Sequence, residues 1–104
     1  PYTTLFRSIR PEEAGKVDEL AAHLQKNPAA QVTLTGYADV QTGNHRLNKT
    51  LSARRAQAVA DALTAKGIAA DRITADSQGD TVQPFATPEE NRVTICITAD
   101  APGM

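Results

Sequence analysis

QVTLTGYADVQTGNHRLNKTLSARRAQAVADALTAKG, residues 31–67, decides how this chain folds. Val32, Leu34 and Gly36 alternate with Gln31, Thr33 and Thr35, the period of a strand with one covered face. Residues 39–44 read as a polar loop containing Gly43. A helix is predicted over residues 45–66, with Gly67 where a left-handed residue closes it. On a wheel of about 100° per residue, Leu51, Ala58, Val59 and Ala62 fall within one apolar stripe. Arg55 lies near the middle of that stripe, with Asn48 almost beside it, whereas Arg54 falls off it toward solvent.

The flanks extend this unit. Pro11-Glu12-Glu13 suits a first helical turn, Val17, Leu20, Ala21 and Leu24 follow at helical spacing, and Asn27-Pro28 ends the run. Downstream, residues 72–75 form a short candidate strand, and residues 78–91 a long loop with Gly79, Pro84 and Pro88. Val93, Ile95 and Ile97 then alternate with Thr94, Cys96 and Thr98, a last strand predicted to turn Cys96 to the open face. Alternating helices and half-covered strands make this an α/β chain. The expected form is an α+β two-layer sandwich with a βαβαβ-type core, both helices on one face of a small mixed sheet.

Composition narrows the function. The chain has 104 residues, near the lower limit for one self-sufficient core, and is read as one domain over residues 9–100 with a tail at 101–104. Lys+Arg 11 against Asp+Glu 12 gives a net charge of −1, which argues against nucleic-acid binding. No apolar run approaches the roughly 18 residues of a membrane span. Cys96 is the sole cysteine, so neither an internal disulfide nor a thiolate metal cluster can form. His23 and His45 read as solvated, and Ser52 lacks an evident base, so no metal, cofactor or catalytic residue is expected. Gly36, Gly43 and Gly67 are assigned to backbone conformation rather than to phosphate binding. Residues 1–8, PYTTLFRS, resemble the translation of a sequencing-adapter oligonucleotide and are set aside, the alternative being an edge strand.

An inward arginine needs a partner, since a buried charge left alone costs about 3–5 kcal/mol. In a βα unit the helix N-terminus lies beside the C-terminal end of the preceding strand, and that strand leads directly to Asp39. Asp39, Arg55 and Asn48 should therefore meet at one rim, where open sheets bind ligands. Two readings stay open from these residues alone. One is a structural ion pair. The other is a pocket for a zwitterion, whose ammonium and carboxylate match the two charges at roughly 1.5–3 kcal/mol per charge-assisted bond.

Gly36-Tyr37-Ala38-Asp39, Thr42-Gly43-Asn44, Asn48 and Leu51-Ser52-Ala53-Arg54-Arg55-Ala56 resemble the signature of the OmpA-like (OmpA/MotB C-terminal) peptidoglycan-binding domain, in its Bacteroides-type form. Gly67-Ile68, Arg72-Ile73, Gly79-Asp80, Gln83-Pro84 and Asn91-Arg92-Val93 follow in the family's order. The resemblance implies non-covalent binding of the diaminopimelate of the peptidoglycan stem, with no enzymatic activity. Asp39 would accept the ligand ammonium, Arg55 and Arg92 would hold carboxylates, and Asn48 would line the pocket. Tyr37 and Ala38 replace the usual histidine and threonine, the loop after Asp39 is one residue longer than the shorter family form, and residues 1–8 offer no counterpart of the first family strand.

The implied role is anchoring the outer membrane to the cell wall from the periplasm, with membrane attachment supplied by a missing N-terminal region. The alternatives are a stator-type wall anchor of a motility or transport complex, and a small cell-wall hydrolase. Monomer and homo-oligomer both remain open.

Overall fold

Val17, Leu20, Ala21 and Leu24 are the four buried residues of the first helix, α1 (Ala14–Lys26), as their spacing predicts. They pack with Val32 and Leu34 of a strand, β2 (Gln31–Tyr37), whose inward positions alternate as expected. The computed structural model describes residues 3–7, 13–39, 44–86 and 89–99. Ile9, Pro11, Glu12, Thr42, Gly43, Pro88 and the tail at 101–104 lie outside the described residues.

The remaining elements are β1 (Thr3–Phe6), α2 (His45–Ala65), β3 (Ile73–Gly79) and β4 (Thr94–Ala99), with short 3-10 turns at Ala70–Arg72 and Glu89–Asn91. The four-stranded sheet runs in the order β1-β4-β2-β3, with β2 and β3 parallel and β4 antiparallel to both β1 and β2. Both helices contribute to one buried cluster with the inward face of this mixed sheet, giving the predicted two layers.

The first strand is present, against expectation. Thr3–Phe6 pairs antiparallel with β4 and sends Phe6, 2% exposed, into the core. Its β-branched and aromatic residues suit an edge strand, and Phe6 covers apolar surface that would otherwise face water. Two further expectations change. β3 extends to Gly79, beyond the short stretch predicted, because polar Asp76, Ser77 and Gln78 are tolerated on an outer strand. In β4 the facing is inverted: Thr94, Cys96 and Thr98 point inward, whereas Ile97 is 49% exposed. Directly opposed residues share a face, and Leu34 sits opposite Cys96, so the inward side of β4 is fixed by its register on β2. Burial pushes the Cys96 thiol up to about 12, which leaves it an inert core residue.

The apolar stripe of α2 is also displaced by about one residue. Its buried residues are Asn48, Ser52, Ala56, Val59, Ala60 and Leu63, while Ala58 is exposed and Leu51 half-buried. Close approach causes the shift. A Cβ on Gly36 would stand 1.8 Å from the Ser52 carbonyl oxygen, so β2 and α2 touch backbone to backbone through small residues. Gly36 thus serves proximity rather than an unusual backbone angle. Gly67, at φ 93°, has the left-handed role expected. Its N–H bonds to the Thr64 carbonyl and that of Ile68 to the Leu63 carbonyl, a Schellman closure with Ile68 buried.

Candidate functional site

The end of β2 is held on both sides. Tyr37 N–H donates to the Val93 carbonyl and Ala38 N–H to the Gly79 carbonyl, each at 2.8 Å. This brings Asp39, 1% exposed, to the top of the sheet beside the N-terminal half of α2. That half begins cleanly, because the Asn44 side chain accepts the Leu47 N–H at 2.8 Å.

The structure brings all four predicted residues together, with partners different from those expected. Arg92 Nε lies 2.5 Å from Asp39 Oδ2, so the ionic partner of Asp39 is the arginine that leads into β4. Arg55 Nη1 instead donates to the Tyr37 carbonyl at 2.9 Å. Burial lowers the Arg55 pKa most, and the neighbouring Arg92 charge lowers it further, while Asp39 acts in the opposite sense. Arg55 is thus within the field of both members of the Asp39–Arg92 pair. Asn48, fully buried, donates to the Asp39 carbonyl at 3.2 Å and to Asp80 Oδ2 at 2.9 Å. It braces the backbone that carries the acid.

Asp80, Gln83 and Asn91 were not singled out by periodicity, yet they fix the site. Asp80 Oδ1 lies 2.7 Å from His45 Nδ1, whose proton faces the carboxylate. The hydrogen bond from Asn48 first, and that from His45 second, hold the Asp80 carboxyl below its ordinary value. The His45 ring is exposed, as predicted, but it is hydrogen-bonded at one edge. Gln83 Nε2 donates to the Ala38 and Asp80 carbonyls, both at 3.0 Å. Asn91 donates to Gln83 Oε1 at 2.9 Å and accepts from Phe85 N–H at 2.8 Å. These bonds lace the loop before Arg92 to the end of β2. Only their motif order signalled them, since buried amides inside a loop have no period.

Beside Arg55 a cavity of about 220 Å³ opens between α2 and the strands β1 and β4. Phe6, Leu51 and Val59 supply apolar wall, and Arg7, Arg54 and Arg55 supply guanidinium stems. Ser52, by contrast, is buried with its hydroxyl donating to the Lys49 carbonyl and accepting from Gly79 N–H, which removes it as a nucleophile. Among the described residues no group of three His, Cys, Asp or Glu could hold a metal ion. The cavity wall can therefore offer guanidiniums and apolar surface to a small charged ligand, while Asp39 and Arg92 lie outside that wall.

Comparison with known proteins places the chain. A model of the OmpA family matches residues 7–94. Outer membrane protein 41 of Porphyromonas gingivalis is 44% identical over 75 residues, covering 71% of this chain and 19% of that protein. Peptidoglycan-binding protein ArfA of Mycobacterium bovis is 41% identical over 85 residues, covering 79% of this chain and 26% of that protein. The chain thus spans about a fifth to a quarter of the length of these relatives. The peptidoglycan-associated lipoprotein of Burkholderia pseudomallei has the same fold, with TM-score 0.84 at 20% identity, over 95% of this chain and 91% of that one. The cell wall anchor of the T6SS from Pseudomonas aeruginosa matches at TM-score 0.72 and 34% identity, over 92% of this chain and 71% of that one.

Proposed function

The chain belongs to the OmpA family, and from that membership we propose that it binds peptidoglycan non-covalently, holding the diaminopimelate of the peptide stem with Asp39, Arg55 and Arg92. The observation that carries this reading is the convergence of one buried acid and two arginines at the open end of the sheet. A carboxylate offers several acceptor positions, so Asp39 can keep Arg92 and still take a ligand ammonium. Arg55 and Arg92 then receive the adjacent carboxylate. Asn48 acts through the backbone, keeping Asp39 in place.

Relatives named as an outer membrane protein and as a peptidoglycan-binding protein support a wall-anchoring role in the cell envelope. Among the described residues no helix is long and apolar enough to cross a membrane. The likeness to a T6SS cell wall anchor favours, as a second reading, the same pocket serving a transport complex. Two or three ion-pair contacts leave little free energy after association costs, so one domain binds a free stem weakly and many copies secure the wall together.

A pull-down on insoluble sacculi tests the proposal. The chain should be retained, and Asp39→Ala and Arg55→Ala should each lose retention while keeping their circular dichroism. Retention unchanged in both variants contradicts the pocket. Release of soluble muropeptides contradicts a binding role and points to a hydrolase.

A further inference from the structure

The cavity beside Arg55 carries charge of one sign. Arg7, Arg54 and Arg55 all contribute to its wall, and no acidic residue lines it among the described ones. The acid of the site, Asp39, is not part of this wall and sits 2.5 Å from Arg92. A ligand with one ammonium and one carboxylate adds no net charge. It would bring no second carboxylate to this wall. Apart from Thr94, the remainder of the wall, from Phe6, Leu51, Ala58 and Val59, is apolar and suits methylene groups.

Arg54 has the position to use this surplus. It is one residue before Arg55, about 100° around α2, and both residues line the cavity. Arg54 is exposed, whereas Arg55 donates to the Tyr37 carbonyl and Arg7, the third cavity arginine, donates to the Glu90 carbonyl.

We infer that the cavity is a second subsite, in which Arg54 binds a further carboxylate carried by the stem residue next to diaminopimelate, so that the domain selects net-anionic stem peptides over amidated ones. The inference rests on the peptidoglycan reading above. In a stem, the glutamate joined through its γ-carboxyl keeps a free α-carboxylate, and its short methylene chain matches the apolar wall. A carboxylate can take a paired, charge-assisted bond from a guanidinium. An amide at the same place loses the charge and turns N–H donors toward a donor, so discrimination includes a repulsive element.

Calorimetric titration with three ligands tests this: free diaminopimelate, the tripeptide L-Ala–γ-D-Glu–diaminopimelate, and the same tripeptide with its glutamyl α-carboxylate amidated. The free-acid tripeptide should bind the native chain about tenfold more tightly than the amide, the size of one charge-assisted contact partly open to water. Arg54→Gln should bring that ratio close to one, and Arg54→Lys should restore part of it. Arg54 is exposed, so neither substitution disturbs the core. Equal binding of acid and amide by the native chain, with free diaminopimelate still bound, overturns the inference and leaves the peptidoglycan reading standing. A ratio that persists in Arg54→Gln overturns the assignment to Arg54. Binding of none of the three ligands overturns both readings.

Discussion

The two halves of α2 rest on the same sheet by different means. In the C-terminal half, Val59 and Leu63 are buried apolar side chains packed with Val32, Leu34 and Cys96. In the N-terminal half, the buried positions are Asn48, whose amide nitrogen donates to the Asp39 carbonyl and to Asp80, and Ser52, whose hydroxyl is bonded on both sides, and Arg55 lies half-buried beside them. The first half contributes stability through area removed from water. The second contributes little of that kind, and instead fixes charged groups at the end of the sheet. A helix can do both because its period carries one face from a dry region into a polar one. Buried polar groups held by hydrogen bonds set geometry more than they add free energy.

Substitutions in each half should sharpen this contrast. Leu63→Ala, at a fully buried site, should cost about 2–5 kcal/mol in chemical denaturation, the range for deleting a core leucine. A loss under about 1 kcal/mol would mean the dry half is not the main support. Gly36→Ala probes the junction between the halves and should cost about 3 kcal/mol, because the new Cβ meets the Ser52 backbone. Asn48→Ala, in the polar half, should cost about 1–3 kcal/mol by removing one donor from the Asp39 carbonyl and one from the Asp80 carboxylate. Ligand affinity should fall as well, because Asp39 is no longer braced; unchanged affinity would separate the network from the site.

The smallest expected effect is on pH. The Asp80 carboxyl is held below its ordinary value of 3.8 by Asn48 and His45. A carboxyl lowered on folding stabilises the fold above its unfolded pKa and loses that contribution as pH falls through the folded one. The native chain should therefore lose more stability than Asp80→Asn as pH drops below 3.8. Parallel acid unfolding curves would show that Asp80 is not an anchor of the polar half.

Much of this contrast is legible in the sequence. The four inward positions of α1 are all apolar at helical spacing, and β2 alternates without exception, so both read correctly. The meeting of Asp39, Arg55 and Asn48 follows from βα geometry. Other features depend on size and register rather than hydrophobicity. Leu51 and Ala58 look more apolar than Ser52, but Gly36 draws the small-residue side of the helix onto the sheet. Ile95 and Ile97 look more apolar than Cys96, but pairing with Leu34 turns Cys96 inward. The Asp39–Arg92 pair joins residues far apart in the chain through a loop fixed by Gln83 and Asn91, and no local pattern encodes it. At the N-terminus, Phe6 fills a place in the core. If residues 1–8 come from an adapter, the parent gene should supply a strand with an apolar residue at that place, which sequencing upstream of Ile9 checks.

The central claim is that the acid and arginines at the end of β2 form one ligand site. An NMR titration of isotopically labelled chain with free diaminopimelate tests it most directly. The amides around Asp39, Arg55 and Arg92 should shift together along one saturable curve, and those shifts should vanish in Asp39→Ala. Shifts confined to another surface, or unaffected by Asp39→Ala, would contradict the account.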